Sequence, residues 1–214
     1  MASKVNICSM ACTLIGANRV TDLDNPTTEE ERLCVLWWDQ VLEETLHEHD
    51  WKFAREYKAA LAVSASPSGE YDHAYQLPTD CLVLRYLWDT DAACRATDSE
   101  YEIQGTQILT DLDTVNIVYT KLDENVGRYP TFFVRALTYL LAHYLAFKLS
   151  EKGSKAPEMR QLYTVAIAKA IDNDQKQGNY PNDEEDAWLS AAGFGGSEAS
   201  GTIVQTNTGY IEIT

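Results

Sequence analysis

Few residues of this chain could do chemistry, and their spacing decides what each can do. His47-Glu48-His49-Asp50 has the residue types of a divalent-metal site. On a helix, however, residues two apart point to nearly opposite sides, and zinc-binding helices place their histidines at i and i+4, as in HExxH. A surface role explains this run better. Cys8 and Cys12 do stand at i and i+4, but no second pair completes a thiolate set, so they read as small core residues. Cys81 and His73 lie across a turn and have the types of a nucleophile and its base. No oxyanion-hole loop or glycine-rich elbow accompanies them. Neither a phosphate-binding GxxxxGKS or GxxxxGKT loop nor a GxGxxG turn is present. Glu29–Glu31, Glu43–Glu44 and Asp183–Asp186 supply carboxylates, yet nothing in their spacing selects an acid–base pair, and they read as solvated faces or helix-start charges. The expectation is no catalytic residue, no metal ligand and no cofactor.

Composition narrows the classes further. The 214 residues carry a formal charge of −16, from 33 acidic and 17 basic side chains, and 45% of them are aliphatic, aromatic or Cys. That apolar content supports a real core rather than global disorder. The charge repels phosphate, which argues against ordinary DNA binding, although such a chain can surround a duplex without gripping it. Five cysteines without framework spacing indicate a reducing compartment and free thiols. The opening MASKVNICSMACTLIG is interrupted by Asn6, Ser9 and Thr13 and suits a small amphipathic helix better than a signal peptide. No run reaches the roughly 18 apolar residues of a membrane span; Phe132 to Leu149 carries Arg135, His143 and Lys148 and reads as a buried helix. Five tryptophans and twelve tyrosines could line a sugar site, but Trp37, Trp38 and Trp51 fit core packing.

The elements that would position these residues follow from periodicity. Ser3 caps a first helix with Ile7, Ala11 and Leu14 on one face and Gly16 as its stop. Thr27 and Glu30 have capping-box spacing, opening a second helix that runs to about His49 with rows Leu33/Trp37/Val41 and Cys34/Trp38/Leu42/Leu46. Then comes an extended stretch. Trp51-Lys52-Phe53-Ala54 leads into a strand over Tyr57–Val63, a turn over Ser64–Gly69, and a second run over Tyr71–Tyr75. Leu77-Pro78-Thr79-Asp80-Cys81-Leu82 turns the chain sharply at Pro78. Leu82–Trp88 is a strand and Asp89–Ser99 a loop; Tyr101–Gln104, Gln107–Thr110 and Val115–Tyr119 are short strands, the first two a hairpin around Gly105. Pro130 starts a very apolar helix that Gly153 ends. A last helix opens at Ala156-Pro157 with Leu162, Val165, Ala166 and Ala170 inward.

Past Gly178 the composition turns acidic, with Trp188 in an apolar anchor, and then Gly/Ser-rich from Gly193 to Gly201. Strand-like alternation returns at Ile203, Val204, Tyr210, Ile211 and Ile213, so this end reads either as a segment that adds a strand to a partner's sheet or as a frayed terminus. The fold expected is α+β: about four helices, with a small antiparallel β-domain inserted between the second and third, plus an extended C-terminal tail. Residues 1–52 and 128–178 would form the bundle, 53–127 the β-rich insert and 179–214 the arm.

W-x-F-A after a helix, a polar turn, and then Y-x-x-x-Y-x-L-P-x-D-C-L resembles the head-to-tail adaptor proteins of tailed bacteriophages. That family includes tail tubular protein A and the connectors beneath the portal. The resemblance covers about residues 5–190. It implies a structural, non-enzymatic virion protein, made in the host cytoplasm and sited at the head–tail junction, away from any membrane. It implies a homo-oligomeric ring, typically dodecameric, with the portal protein above and the tail nozzle or tail tube below. DNA would pass through the ring without tight binding. Trp51, Phe53, Leu77, Pro78, Asp80 and Cys81 match the motif positions and are expected to be structural anchors. Ile203, Val204, Tyr210, Ile211 and Ile213 would clasp the portal. Two other classes compete: a virion-associated hydrolase using acidic residues, and a monomeric acidic module that binds or regulates one basic partner.

Overall fold

The computed structural model describes residues 2–63, 71–88, 100–150 and 155–177. In chain order the elements are α1 (Lys4–Ile15), α2 (Glu29–His47), β1 (Arg55–Ala59), β2 (Leu61–Ala62), β3 (His73–Gln76), β4 (Cys81–Trp88), β5 (Tyr101–Gln104), β6 (Gln107–Thr110), β7 (Asn116–Lys121), a 3-10 turn at Val126–Arg128, α3 (Thr131–Leu149) and α4 (Lys155–Gln175). Strands between the second and third helices make the fold α+β, as the patterning predicts. The Ser64–Gly69 turn, the Asp89–Ser99 loop, Gly153, Trp188 and the C-terminal clasp positions lie outside the described residues.

The helix boundaries have local causes. Ser3 accepts from Asn6 N at 3.2 Å and opens α1. Gly16 closes it at φ 83°, a conformation that costs glycine little. The buried face of α1 is Ile7, Cys8, Ala11, Cys12 and Ile15. Leu14, expected on that face, points outward because the two cysteines complete the stripe. In α2 the capping box falls on Thr28 and Glu31, one residue later than the Thr27/Glu30 reading. Pro130 is the cap of α3 rather than its first residue, and its carbonyl accepts from Val134 N at 3.0 Å. Leu149 is the last residue of α3, before the expected stop.

α3 is the centre of the bundle and packs against α1, α2 and α4. It is long and apolar enough to cross a bilayer, but Phe133, Leu137, Leu140, Leu141 and Leu145 are fully buried inside the protein, as befits a core helix. α4 turns Met159, Tyr163, Ala166, Ile167 and Ala170 inward. Leu162 and Val165 were expected there and are exposed, because the row that faces the core is Met159, Tyr163, Ala166, Ile167 and Ala170.

The insert is two sheets, with strand orders β1-β7-β4 and β2-β3-β6-β5, all pairs antiparallel. The single strand expected over Tyr57–Val63 breaks at Ala60, whose N–H donates to Val115 O at 2.8 Å. Arg55–Ala59 pairs with β7 in one sheet and Leu61–Ala62 with β3 in the other. This strand therefore turns a corner between sheets. The β5–β6 hairpin is as expected, with Gly105 at φ 63° in a two-residue turn. Between the sheets lies a second core of Tyr75, Leu87, Ile108, Val115, Ile117 and Tyr119.

The insert grips the bundle at the end of α2, which has no glycine to close it. Its last carbonyls, which lack intrahelical partners, are taken by side chains instead. Trp51 Nε1 donates to Thr45 O at 3.0 Å. Arg85, from β4, donates to Leu46 O at 3.1 Å and to His49 O at 2.7 Å, while its Nε donates to Thr120 at 2.8 Å. Trp51 is 1% exposed, and its ring meets Phe133 edge-on at 5.0 Å. Trp51→Ala is expected to cost about 3–5 kcal/mol from the cavity and lost burial. Arg85→Met is expected to cost about 1.5–3 kcal/mol from lost charge-assisted hydrogen bonds. Urea-denaturation midpoints check both.

Candidate functional site

The motif positions converge on the end of β7. Lys121 N donates to Ala54 O at 2.8 Å, and Leu122 N donates to Asp80 O at 3.1 Å. The strand end is thus held by the W-x-F-A segment on one side and by L-P-x-D-C-L on the other. Phe53 packs on Phe133 at 4.9 Å and on Tyr129 at 5.6 Å, in line with Trp51. Leu77 is half-buried against the β core, and its N–H donates to Thr106 O at 2.9 Å. Pro78 O accepts from Cys81 N at 3.1 Å and closes the turn. The Asp80 carboxylate accepts from Tyr119 OH at 3.1 Å and pairs with Lys121 at 3.5 Å. Burial and then the Asp80 charge push the Cys81 thiol up to about 11. A thiol held there is a poor nucleophile at neutral pH.

The other chemical candidates are placed apart. His49 pairs with Asp174 at 3.3 Å, on the C-terminal turn of α4, while His47 is exposed. The same Asp174 carboxylate accepts from Lys52 N at 3.3 Å, and Lys52 Nζ donates to Asp174 O and Gln175 O at 2.6 and 2.9 Å. These bonds cap α4 with a cation. His73 pairs with Asp113 at 3.0 Å, so its partner is not Cys81. Cys8 and Cys12 are joined in the core by Cys34, with Cys12 and Cys34 sulfurs 3.8 Å apart. The Cys34 thiol and burial push the Cys12 thiol far up. No cluster of three or more His, Cys, Asp or Glu suited to a metal ion occurs among the described residues.

Glu31 is an internal anchor that sequence reasoning missed. It is 2% exposed. One carboxylate oxygen accepts from Thr27 N, Thr27 Oγ1 and Thr28 N at 2.9–3.2 Å. The other accepts from Thr21 N, Thr21 Oγ1 and Asp22 N at 3.1–3.3 Å. The N–H donors of Thr28 and Thr27, then those of Thr21 and Asp22, hold its carboxyl well below the usual range. The one-residue shift of the capping box hid this role.

Among the described residues a groove of about 760 Å³ lies between the outer face of α1 and the first half of α3. Met10, Leu14, Val134 and Tyr139 supply its apolar wall, and Arg19 and Arg135 its charge. Thr13 and Thr138 also line it, but their hydroxyls donate to Ser9 O and Val134 O at 2.7 Å and are already satisfied. Both arginines are exposed, and neither is in an ion pair among the described residues. No acidic side chain lines the groove. In a chain of net charge −16 this is a local cationic, apolar surface.

No protein-family model matches the chain, and no curated protein matches it.

Two measurements test the anchors. Iodoacetamide at pH 7 should leave Cys81 largely unalkylated by peptide mapping, with the rate climbing as pH approaches 11; rapid labelling at pH 7 would contradict the raised thiol. Glu31→Gln should lower the thermal midpoint at pH 7. Because the folded-state pKa is depressed, that contribution is full above the unfolded value of about 4.3. It fades as pH falls below that value towards the folded one, so the wild-type and variant midpoints should converge in acid.

Proposed function

We propose that the chain is a structural adaptor of a phage virion. It docks as a ring beneath the portal, extends the DNA channel and provides the platform for the tail nozzle or tube. The observation that carries the reading is the two-motif clamp on β7. W-x-F-A and L-P-x-D-C-L, the segments that resemble the adaptor family, together hold the end of β7, and W-x-F-A carries that strand end to the helix bundle through Trp51 and Phe53. Such a clamp makes a rigid block suited to stacking beside copies of itself, with its polar anchors engaged in packing.

The charge fits the same role. A channel that a duplex traverses quickly must not hold phosphate tightly, and a wall belonging to a protein of net charge −16 keeps DNA mobile. Ile203, Val204, Tyr210, Ile211 and Ile213 are proposed as the portal clasp, an apolar alternation able to add a strand to the portal's sheet.

Electron microscopy of the purified protein mixed with the portal ring of the same virus should show a symmetric second ring stacked on the portal. A bare portal beside monomeric protein would end the adaptor reading. Deleting residues from Ser197 onward should abolish attachment while the thermal midpoint stays unchanged. Unchanged attachment of the truncated chain would remove the clasp assignment.

A further inference from the structure

We infer that the α1/α3 groove of one copy receives the outer face of α2 from a second copy. This deepens the ring reading and rests on it for closure, though the contact itself needs no portal. The outer stripe of α2 carries Val35 and Leu36, which are 39% and 67% exposed. Asp39 and Glu43 follow on the same face, at i+4 and i+8 from Val35. Both are exposed, and neither has an ion-pair partner among the described residues. The groove offers the complement: apolar Met10, Leu14 and Val134 with the unpaired Arg19 and Arg135. Two of its threonine hydroxyls, those of Thr13 and Thr138, donate to backbone carbonyls of their own helices.

Charge sets the direction of docking. Arg32 stands at the N-terminal end of the stripe, one turn before Leu36, so the Asp39–Glu43 end is the one that meets the groove arginines. The two faces cannot meet within one chain. α2 turns Cys34, Trp38, Val41 and Leu42 into the bundle core, which leaves Leu36 and Glu43 on the opposite side, with Asp39 beside them and Val35 at the edge of the buried face. Two different faces in contact make a heterologous, head-to-tail interface, which closes into a ring or propagates as a filament.

The test uses two full-length variants, Arg135→Glu, which keeps the stripe, and Leu36→Glu, which keeps the groove. Both side chains are exposed, and an unchanged thermal midpoint confirms the folds. Sedimentation velocity should show assemblies of wild-type protein, each variant alone as a monomer, and an equimolar mixture as a one-to-one dimer. A mixture that stays monomeric, or variants that assemble like wild type, would overturn the contact and leave the groove to an acidic segment of another protein. Portal decoration by wild-type protein separates the two readings. A decorated portal with a monomeric variant mixture removes the contact alone, and a dimeric mixture with a bare portal removes the adaptor reading alone.

Discussion

The molecule depends on how α2 ends. A helix leaves four carbonyls without intrahelical partners, and the usual remedy is a left-handed glycine just past the last turn. Here the residue after His47 is Glu48 in right-handed geometry, so the backbone supplies no cap. Trp51 and Arg85 take the carbonyls instead. One side chain comes from the segment leaving the helix and the other from β4, 34 residues further along. Helix termination is therefore a tertiary event. α2 ends where it does only when the β insert is folded, and β4 is positioned only when the helix end exists. The cation of Arg85 also sits where the helix dipole is negative, which favours it further.

The same logic recurs at the end of β7 and at the end of α4. Lys121 and Leu122 are pinned by carbonyls from two separate segments, and Lys52 closes α4 from the connector that carries Trp51. A short stretch, Asp50 to Arg55, thus touches α2, α3, α4, β7 and itself, through Trp51, Phe53, Lys52, Ala54 and the Arg55–Asp50 pair at 2.6 Å. Two cores, one in the bundle and one between the sheets, behave as one block because their joint is made of backbone hydrogen bonds and buried rings rather than a flexible linker.

Signals that act within a few residues were legible in the sequence. Ser3 and Gly16 bound α1, Gly105 turns the β5–β6 hairpin, and the helix–insert–helix order follows from periodicity alone. Signals decided by a distant partner were not. Thr27 and Thr28 both have a glutamate three residues on; the loop from Thr21 to Thr28, wrapping Glu31, selects the second. Tyr57–Val63 alternates like one strand, and only the competing demands of β7 and β3 break it at Ala60. Leu162 and Val165 look inward by hydropathy, but α4 packs along α3 through the row Met159, Tyr163, Ala166, Ile167 and Ala170, which leaves them exposed. The candidate groove was invisible for a similar reason, since Arg19 and Arg135 are 116 positions apart and only the α1–α3 packing brings them to one surface.

Charge then decides which surfaces can bring copies together. A chain of net charge −16 repels its own copies at long range. At physiological ionic strength the screening length is about 8 Å, so beyond contact distance that repulsion is weak, and local surface chemistry governs. Most cations here are engaged internally. Arg55, Lys121, Arg128, Lys148, Lys155, Arg160 and Lys176 pair with carboxylates, Lys52 and Arg85 cap helices, and Lys4 lies over the Trp38 ring. Arg19, Arg32, Lys58, Arg135 and Lys169 are in no ion pair among the described residues, and of these Arg19 and Arg135 lie beside an apolar wall with no acid lining it. An acidic protein proposed to associate with itself needs such an exception to its own charge. The complementary face must then be apolar and acidic, as the outer stripe of α2 is from Val35 to Glu43.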